Sequence, residues 1–158
     1  MKKTILSAGL AFLLMQSAPA AACYNSLQFE AEQGLRIHSE LMVIGLTCIK
    51  MPGGQRLYDE YQEFDANNAS LMNDYSEILL RHYRDEGMNH PQKTLDALRT
   101  RMANNISRMA IDMSTLNFCQ EYASHITKAA AMSPGTVRRW AEQVWPDMTT
   151  SEPLCTQE

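Results

Sequence analysis

The sequence predicts an all-α fold: an up-down four-helix bundle with a short fifth C-terminal helix, held together by disulfides. Apolar residues recur with helical periodicity along most of the chain, and short breaks rich in Pro and Gly separate these segments. Almost no stretch has the alternating pattern of a β-strand. Four long helices joined by short connections form an up-down bundle most simply.

The first 22 residues have the pattern of a secretory signal peptide. Lys2 and Lys3 form a positively charged start, residues 5–15 are mostly apolar, and residues 18–20 (Ala-Pro-Ala) form a small-residue cleavage site. The apolar run is shorter than the roughly 20 residues that a transmembrane helix needs. We therefore expect a periplasmic or secreted protein with no transmembrane span.

The cleavage position stays open between Ala20 and Ala22. Cleavage after Ala22 would leave Cys23 at the new N-terminus, as in a lipoprotein whose first cysteine is acylated. Lipoprotein signals normally carry an aliphatic residue three positions before that cysteine, where this chain has Ala20. A protein without a lipid anchor at Cys23 is therefore preferred.

The chain after residue 22 is acidic. Removal of Lys2 and Lys3 lowers the basic count from 14 to 12, against 18 acidic residues, which gives a net charge of −6. Its length suits one domain, which we assign to residues 23–146. Nucleic acids and anionic membranes bind basic patches, and residues 138–139 (Arg-Arg) form the only basic pair after residue 22. We expect neither as a partner.

The first two helices are expected over residues 25–48 and 55–86. The first begins with a potential capping box between Asn25 and Gln28 and ends before a Pro-Gly-Gly break. Its expected inward face includes small residues that let a neighbouring helix come close: Leu27, Ala31, Gly34, His38, Leu41 and Gly45. The second has a heptad pattern, the pattern of a left-handed bundle, at Leu57, Tyr61, Phe64, Asn68, Leu71, Tyr75, Ile78 and His82.

The third helix is expected to begin near Pro91, with an inward face of Leu95, Leu98, Met102, Ile106, Met109 and Met113. The fourth should run from near Ser114 to about Met132, with Leu116, Cys119, Tyr122, Ala123 and Ile126 inward. Ser133 and Pro134 predict the start of a fifth, short helix, closed by Pro146, with Val137, Trp140, Ala141 and Val144 on one face. Residues 147–158 should form an irregular tail, tied down only by Cys155.

The four cysteines predict two disulfides, because an even number in an exported chain is typical of disulfide pairing. Their spacing lacks the C-x-x-C element of a zinc site. Cys23 and Cys48 lie at opposite ends of a helix about 36 Å long, whereas bridged Cα atoms are about 5.5 Å apart. In an up-down bundle Cys48 and Cys119 lie at the same end, which predicts the pairs Cys48–Cys119 and Cys23–Cys155.

Metal and haem sites have weak support in the sequence. His38 and His125 lie on the upper halves of the first and fourth helices, so they are the best ligand candidates, but the Glu-x-x-His signature of di-metal bundles is absent. The C-x-x-C-H motif of covalent haem is also missing. The nine methionines that follow residue 22 lie mostly on or beside apolar faces, which favours packing over copper binding. No cofactor is expected.

No catalytic motif is present, so the chain is not expected to be an enzyme: nucleophile elbows, Gly-rich phosphate loops and H-E-x-x-H are absent. The best candidates for partner contact are Trp140 and Trp145, the only tryptophans, because tryptophan is enriched at binding hot spots. The alternative is that both tryptophans cap the end of the bundle core.

Cys23 with Tyr24, the run 41–43 (Leu-Met-Val) leading to Cys48, the stretch 58–68 and Cys119 together form a pattern. It resembles a family of short, exported, cysteine-containing helical proteins of alphaproteobacteria, whose members are uncharacterised. The resemblance implies an exported helical fold and assigns no catalytic residue. The function expected from these observations is protein–protein contact, as an inhibitor, adaptor or envelope-assembly component. The alternative is a bundle that binds a small ligand, a metal or haem.

Overall fold

The structure of the chain is a computed structural model, which describes residues 22–144 and 149–155. The predicted signal peptide up to residue 21 and Trp145 lie outside these residues. Five helices are present in the described part: α1 (Ser26–Cys48), α2 (Gly54–Asp85), α3 (Pro91–Asp112), α4 (Thr115–Ala129) and α5 (Pro134–Ala141). None of them is long and apolar enough to cross a membrane.

Local chemistry explains where the helices begin. Asn25 and Gln28 form the predicted capping box, in which each side chain bonds to the backbone N–H of the other at 2.9 and 2.8 Å. Pro91 and Pro134 are the first residues of α3 and α5, where a missing N–H costs nothing. Gly87 follows α2 with a φ of 73°, a conformation that favours glycine and ends the helix.

The helices form the predicted bundle, and α1 packs against each of the other four. The heptad face of α2 is confirmed: most of it is buried, and Leu57 and Ile78 are partly buried against the core. α1 and α2 come close together at Gly34, where an added Cβ would lie 2.1 Å from Cε2 of Tyr75. The expected role of small residues on α1 is thereby confirmed at this position.

α1 is buried over more of its circumference than a single inward face predicts. Glu30, Glu32 and Gln33 are all buried, because helices and the C-terminal tail cover α1 on several sides. Leu27, expected inward, is exposed in the first turn. Glu30 accepts hydrogen bonds from Tyr75 at 2.7 Å and from Arg138 at 2.9 Å, and so joins α1 to α2 and α5.

Three further residues expected on inward faces are exposed: Met109 by 40%, Leu116 by 51% and Val144 by 70%. Val144 lies beyond the end of α5 at Ala141, so no helix turns it towards the core. Leu116 lies in the first turn of α4. Met109 is exposed because it lines an open cleft between helices. Those three predictions are wrong, whereas Leu95, Leu98 and Met102 of α3 are buried as expected.

Both predicted disulfides are present. Cys48 and Cys119 join the end of α1 to the start of α4, with Cα atoms 5.7 Å apart. Cys23 and Cys155 lie 132 residues apart in the sequence and have Cα atoms 5.0 Å apart. Both cysteine pairs predicted from helix length and bundle direction are therefore confirmed.

The tail is tied down by more than Cys155, which corrects the prediction. Tyr24 and Leu154 form a short parallel β-bridge beside the disulfide. Glu32 accepts two bonds from Ser151, and His82 bonds to Glu152 at 2.9 Å. The buried Glu32 carboxylate and His82 ring explain this attachment, since each would lose a hydrogen-bond partner without the tail.

Candidate functional site

The two histidine candidates have different partners. His38 bonds through Nε2 to Asp65 of α2 at 2.8 Å, whereas His125 of α4 bonds through Nδ1 to Glu40 of α1 at 2.7 Å. Within residues 22–144 and 149–155, no group of three or more His, Cys, Asp or Glu side chains could hold a metal ion. Of the two histidines, His125 lines the cleft described below.

Trp140 of α5 is partly buried and packs against the hydrophobic core. It therefore has a packing role in the part of the chain that is described. Trp145, the second candidate for partner contact, lies outside the described residues.

A cleft of about 430 Å³ opens between α1, α3 and α4, and Thr149 of the tail forms part of its wall. We call it the α1–α3–α4 cleft. It is lined by Arg36, Glu40, Ile44, Met102, Asn105, Ile106, Met109, Phe118, Tyr122, His125 and Thr149. It exists because α3 and α4 both pack against α1 but leave space between their own side chains.

The deep part of the α1–α3–α4 cleft is apolar. Ile44, Met102 and Phe118 are buried core residues, and Ile106 is partly buried against them. Met109 forms a flexible outer wall. Because methionine is unbranched and polarisable, Met102 and Met109 can adapt to differently shaped apolar groups. This surface is suited to an apolar ligand group rather than to a metal ion.

The rim is polar and partly ordered by its own contacts. The Glu40 carboxylate orients the His125 ring, whose edge meets the Tyr122 ring with centroids 5.5 Å apart. The centroid of the Tyr122 ring in turn lies 5.0 Å from that of the Phe118 ring in the apolar part of the cleft. Asn105 accepts a hydrogen bond from Arg108 through Oδ1. The amide NH₂ of Asn105 is the other polar group of this side chain, and it can donate hydrogen bonds.

Arg36 has an unusual environment on this rim. Its Nη2 donates to Glu32 at 3.2 Å and to the backbone carbonyl of Thr149 at 2.9 Å. Its Nε is buried and has no hydrogen-bond partner among the described residues. A buried donor without an acceptor costs about 1–3 kcal/mol. The other such atom in that part of the chain, Oδ1 of Asn68, belongs to α2 and not to the cleft.

The tail and Arg36 hold each other in place. Glu32 accepts from the amide of Ser151 at 2.8 Å through the same oxygen that bonds to Arg36. Two hydrogen bonds therefore hold Thr149 on the cleft wall. Its own carbonyl accepts one from Arg36, and the amide of Ser151, two residues later, donates the other to Glu32. Because both hydrogen atoms of Arg36 Nη2 have acceptors, the guanidinium has one defined orientation.

The sequence pointed to His125 as a ligand candidate and to Met102, Ile106, Met109 and Tyr122 as inward residues, but not to Arg36, Glu40, Ile44 or Phe118. Glu32, Arg36 and Glu40 recur every four residues on α1, which is a local signal of a shared polar edge. No protein-family model matches the chain, and no curated protein or solved structure is found to be similar to it. The function is therefore argued from the cleft.

Proposed function

We propose that this protein is an exported binding protein that holds a small organic ligand in the α1–α3–α4 cleft. The observation that carries the proposal is the combination of an apolar interior with a few ordered polar groups at the rim, in a volume of about 430 Å³. Small-molecule sites in proteins typically have this composition and a volume of about 300–1,000 Å³.

Export is supported by the signal-like N-terminal sequence and by the two disulfides, which persist in oxidising compartments such as the periplasm. The Cys23 sulfur is bonded to Cys155, so it is not available for a thioether-linked lipid. The proposed protein is therefore periplasmic or secreted and has no lipid anchor at Cys23. Intact-mass measurement of material from the envelope fraction tests this, since an acylated Cys23 would contradict it.

Ligand binding is tested with a neutral apolar dye, N-phenyl-1-naphthylamine, whose fluorescence rises in apolar sites. The oxidised protein should bind it saturably. Met109→Trp fills the cleft from its exposed wall and should weaken binding at least tenfold. Ile111→Trp is the matched control, because Ile111 is on the same helix, is 77% exposed and does not line the cleft. Equal affinity in all three proteins would contradict the cleft as the binding site.

Protein–protein contact is the second candidate function. It is favoured by two exposed apolar residues, Ile111 and Leu116, which flank the connection between α3 and α4. The pair Ile111→Asp and Leu116→Asp, compared with wild type in a cross-linking pull-down from the envelope fraction, tests this surface. Loss of a discrete cross-linked species in both variants supports it, and unchanged recovery removes its support.

A further inference from the structure

We infer that the ligand of the α1–α3–α4 cleft is an amphiphile with a carboxylate head group and an aliphatic tail, and that Arg36 binds the carboxylate. This inference rests on the proposed ligand-binding function. Its basis is the Arg36 guanidinium, a cation that lines a cleft whose interior is apolar. A group that brings an acceptor to the guanidinium and an apolar surface to the interior satisfies both features.

The Arg36 side chain is held ready for such an acceptor. Two acceptors occupy Nη2, one from Glu32 and one from Thr149, so the guanidinium cannot swing without breaking these bonds. The side chain lines the cleft and is 20% exposed, whereas Nε is buried, so a carboxylate meets the exposed part of the guanidinium rather than Nε. Guanidinium groups bind carboxylate oxygens with charge-assisted hydrogen bonds, which are stronger than neutral ones.

The surrounding charges favour one negative charge on the ligand rather than two. Glu32 and Glu40 lie four residues before and after Arg36 on α1, and Glu32 is already bonded to it. Glu40 is paired with His125 and faces the same cleft. A phosphate dianion would meet these carboxylates with more repulsion than a single carboxylate does. The remaining rim groups, the amide of Asn105 and the hydroxyl of Tyr122, are neutral donors suited to a second ligand oxygen.

The interior favours an aliphatic chain. Ile44, Met102, Ile106, Met109 and Phe118 line it without a charged group among them. Each methylene group buried there contributes about 0.8 kcal/mol. Two flexible methionines permit a chain that bends, whereas a rigid planar ligand would need a fixed slot. A fatty-acid-like molecule therefore fits the cleft at both ends.

Displacement of N-phenyl-1-naphthylamine by three molecules with the same chain and different head groups tests the inference. Decanoate should displace the dye at a concentration at least tenfold lower than 1-decanol or decylammonium. Arg36→Lys keeps the positive charge and can still reach Glu32, but it lacks the planar guanidinium. This variant should weaken decanoate binding about tenfold and leave 1-decanol binding unchanged. Thermal unfolding of the variant shows whether the fold is retained.

The head-group series with wild-type protein keeps the inference testable even where Arg36→Lys unfolds. Decanoate and 1-decanol binding equally well would overturn the carboxylate inference but leave the proposed ligand-binding function in place, since both would still displace the dye. Failure of the dye and of all three molecules to bind would overturn both. Arg81→Lys is the control: Arg81 is exposed on α2 and does not line the cleft, so decanoate affinity should not change.

Discussion

The carboxylate of Glu32, buried in the second turn of α1, accepts hydrogen bonds from both the backbone amide and the hydroxyl of Ser151, at 2.8 and 2.5 Å. The two residues lie 119 positions apart in the chain. The same carboxylate bonds to Arg36. One buried acidic residue thus connects the tail, the first helix and the rim of the α1–α3–α4 cleft.

Glu32→Gln should lower the free energy of unfolding by about 2 kcal/mol. Both carboxylate oxygens of Glu32 accept hydrogen bonds, and glutamine would replace one of them with an NH₂ group that faces a donor. Urea unfolding followed by circular dichroism measures the change. Glu63→Gln, on the exposed face of α2, is the control and should change the value by less than about 0.5 kcal/mol. Equal effects in the two variants would show that the contact with Ser151 contributes nothing to stability.

Gly34→Ala should destabilise the protein by about 1–3 kcal/mol, although alanine is the better helix former. The new methyl group would collide with the Tyr75 ring, and moving that ring would break its bond to Glu30. Gly45→Ala is the matched control on the same helix, since its Cβ would lie 3.4 Å from the nearest atom, Cβ of Tyr61. A thermal midpoint that rises in Gly34→Ala would show that α1 and α2 separate without cost.

A non-reduced digest should yield peptides linked through Cys23–Cys155 and Cys48–Cys119. Replacing the Cys23–Cys155 pair by serines should cost up to about 4–5 kcal/mol, because the bridge closes nearly the whole described chain. The Cys48–Cys119 pair closes a shorter loop and should cost about 0.6 kcal/mol less in the loop-entropy model. A Cys23–Cys48 peptide from native protein would contradict the pairing.

Stability should fall above about pH 10, the ordinary tyrosine pKa. Burial raises the pKa of Tyr24, Tyr75 and Tyr83, and burial together with the nearby Asp65 carboxylate raises the pKa of Tyr61 to about 12. The unfolded chain therefore loses these protons first, so stability is retained below pH 10 and lost as the pH rises through the folded pKa values, for Tyr61 between about 10 and 12.

Tyrosinate absorbance measures this effect. In native protein at pH 11, the absorbance should account for only part of the six tyrosines, and the remainder should appear when urea is added. Full ionisation at pH 11 with circular dichroism still native would contradict the buried state of these four side chains.

Local periodicity and helix geometry account for what the sequence predicts well. The spacing on α2 predicts its buried face, and helix length together with bundle direction predicts both disulfides. The buried carboxylates escape such reasoning because their partners are distant: Glu30 pairs with Tyr75 and Arg138, and Glu32 with Ser151. No local pattern marks a glutamate whose acceptor role depends on a residue more than 40 positions away.

The α1–α3–α4 cleft is not predictable from local periodicity either, for a different reason. Met109 continues the apolar spacing of α3 and is therefore expected in the core, but the space beside it depends on how far α3 and α4 diverge. The distance between two helices depends on how their side chains pack together. The periodicity of a single helix does not predict that distance. Arg36 is recognisable as a site residue only when its two acceptors and its place on the cleft wall are seen together.

The Cys48–Cys119 disulfide is nested within Cys23–Cys155 in the sequence, and this order affects how the cell can oxidise the protein. Ribosomes synthesise Cys23 and Cys48 before either correct partner, so an oxidase acting in order of synthesis would join two cysteines at opposite ends of α1, a helix about 34 Å long over its 23 residues. That bridge would prevent α1 from forming. Native protein then requires exchange of the early bridge by a thiol catalyst, and yield should depend on a disulfide isomerase rather than on an oxidase alone.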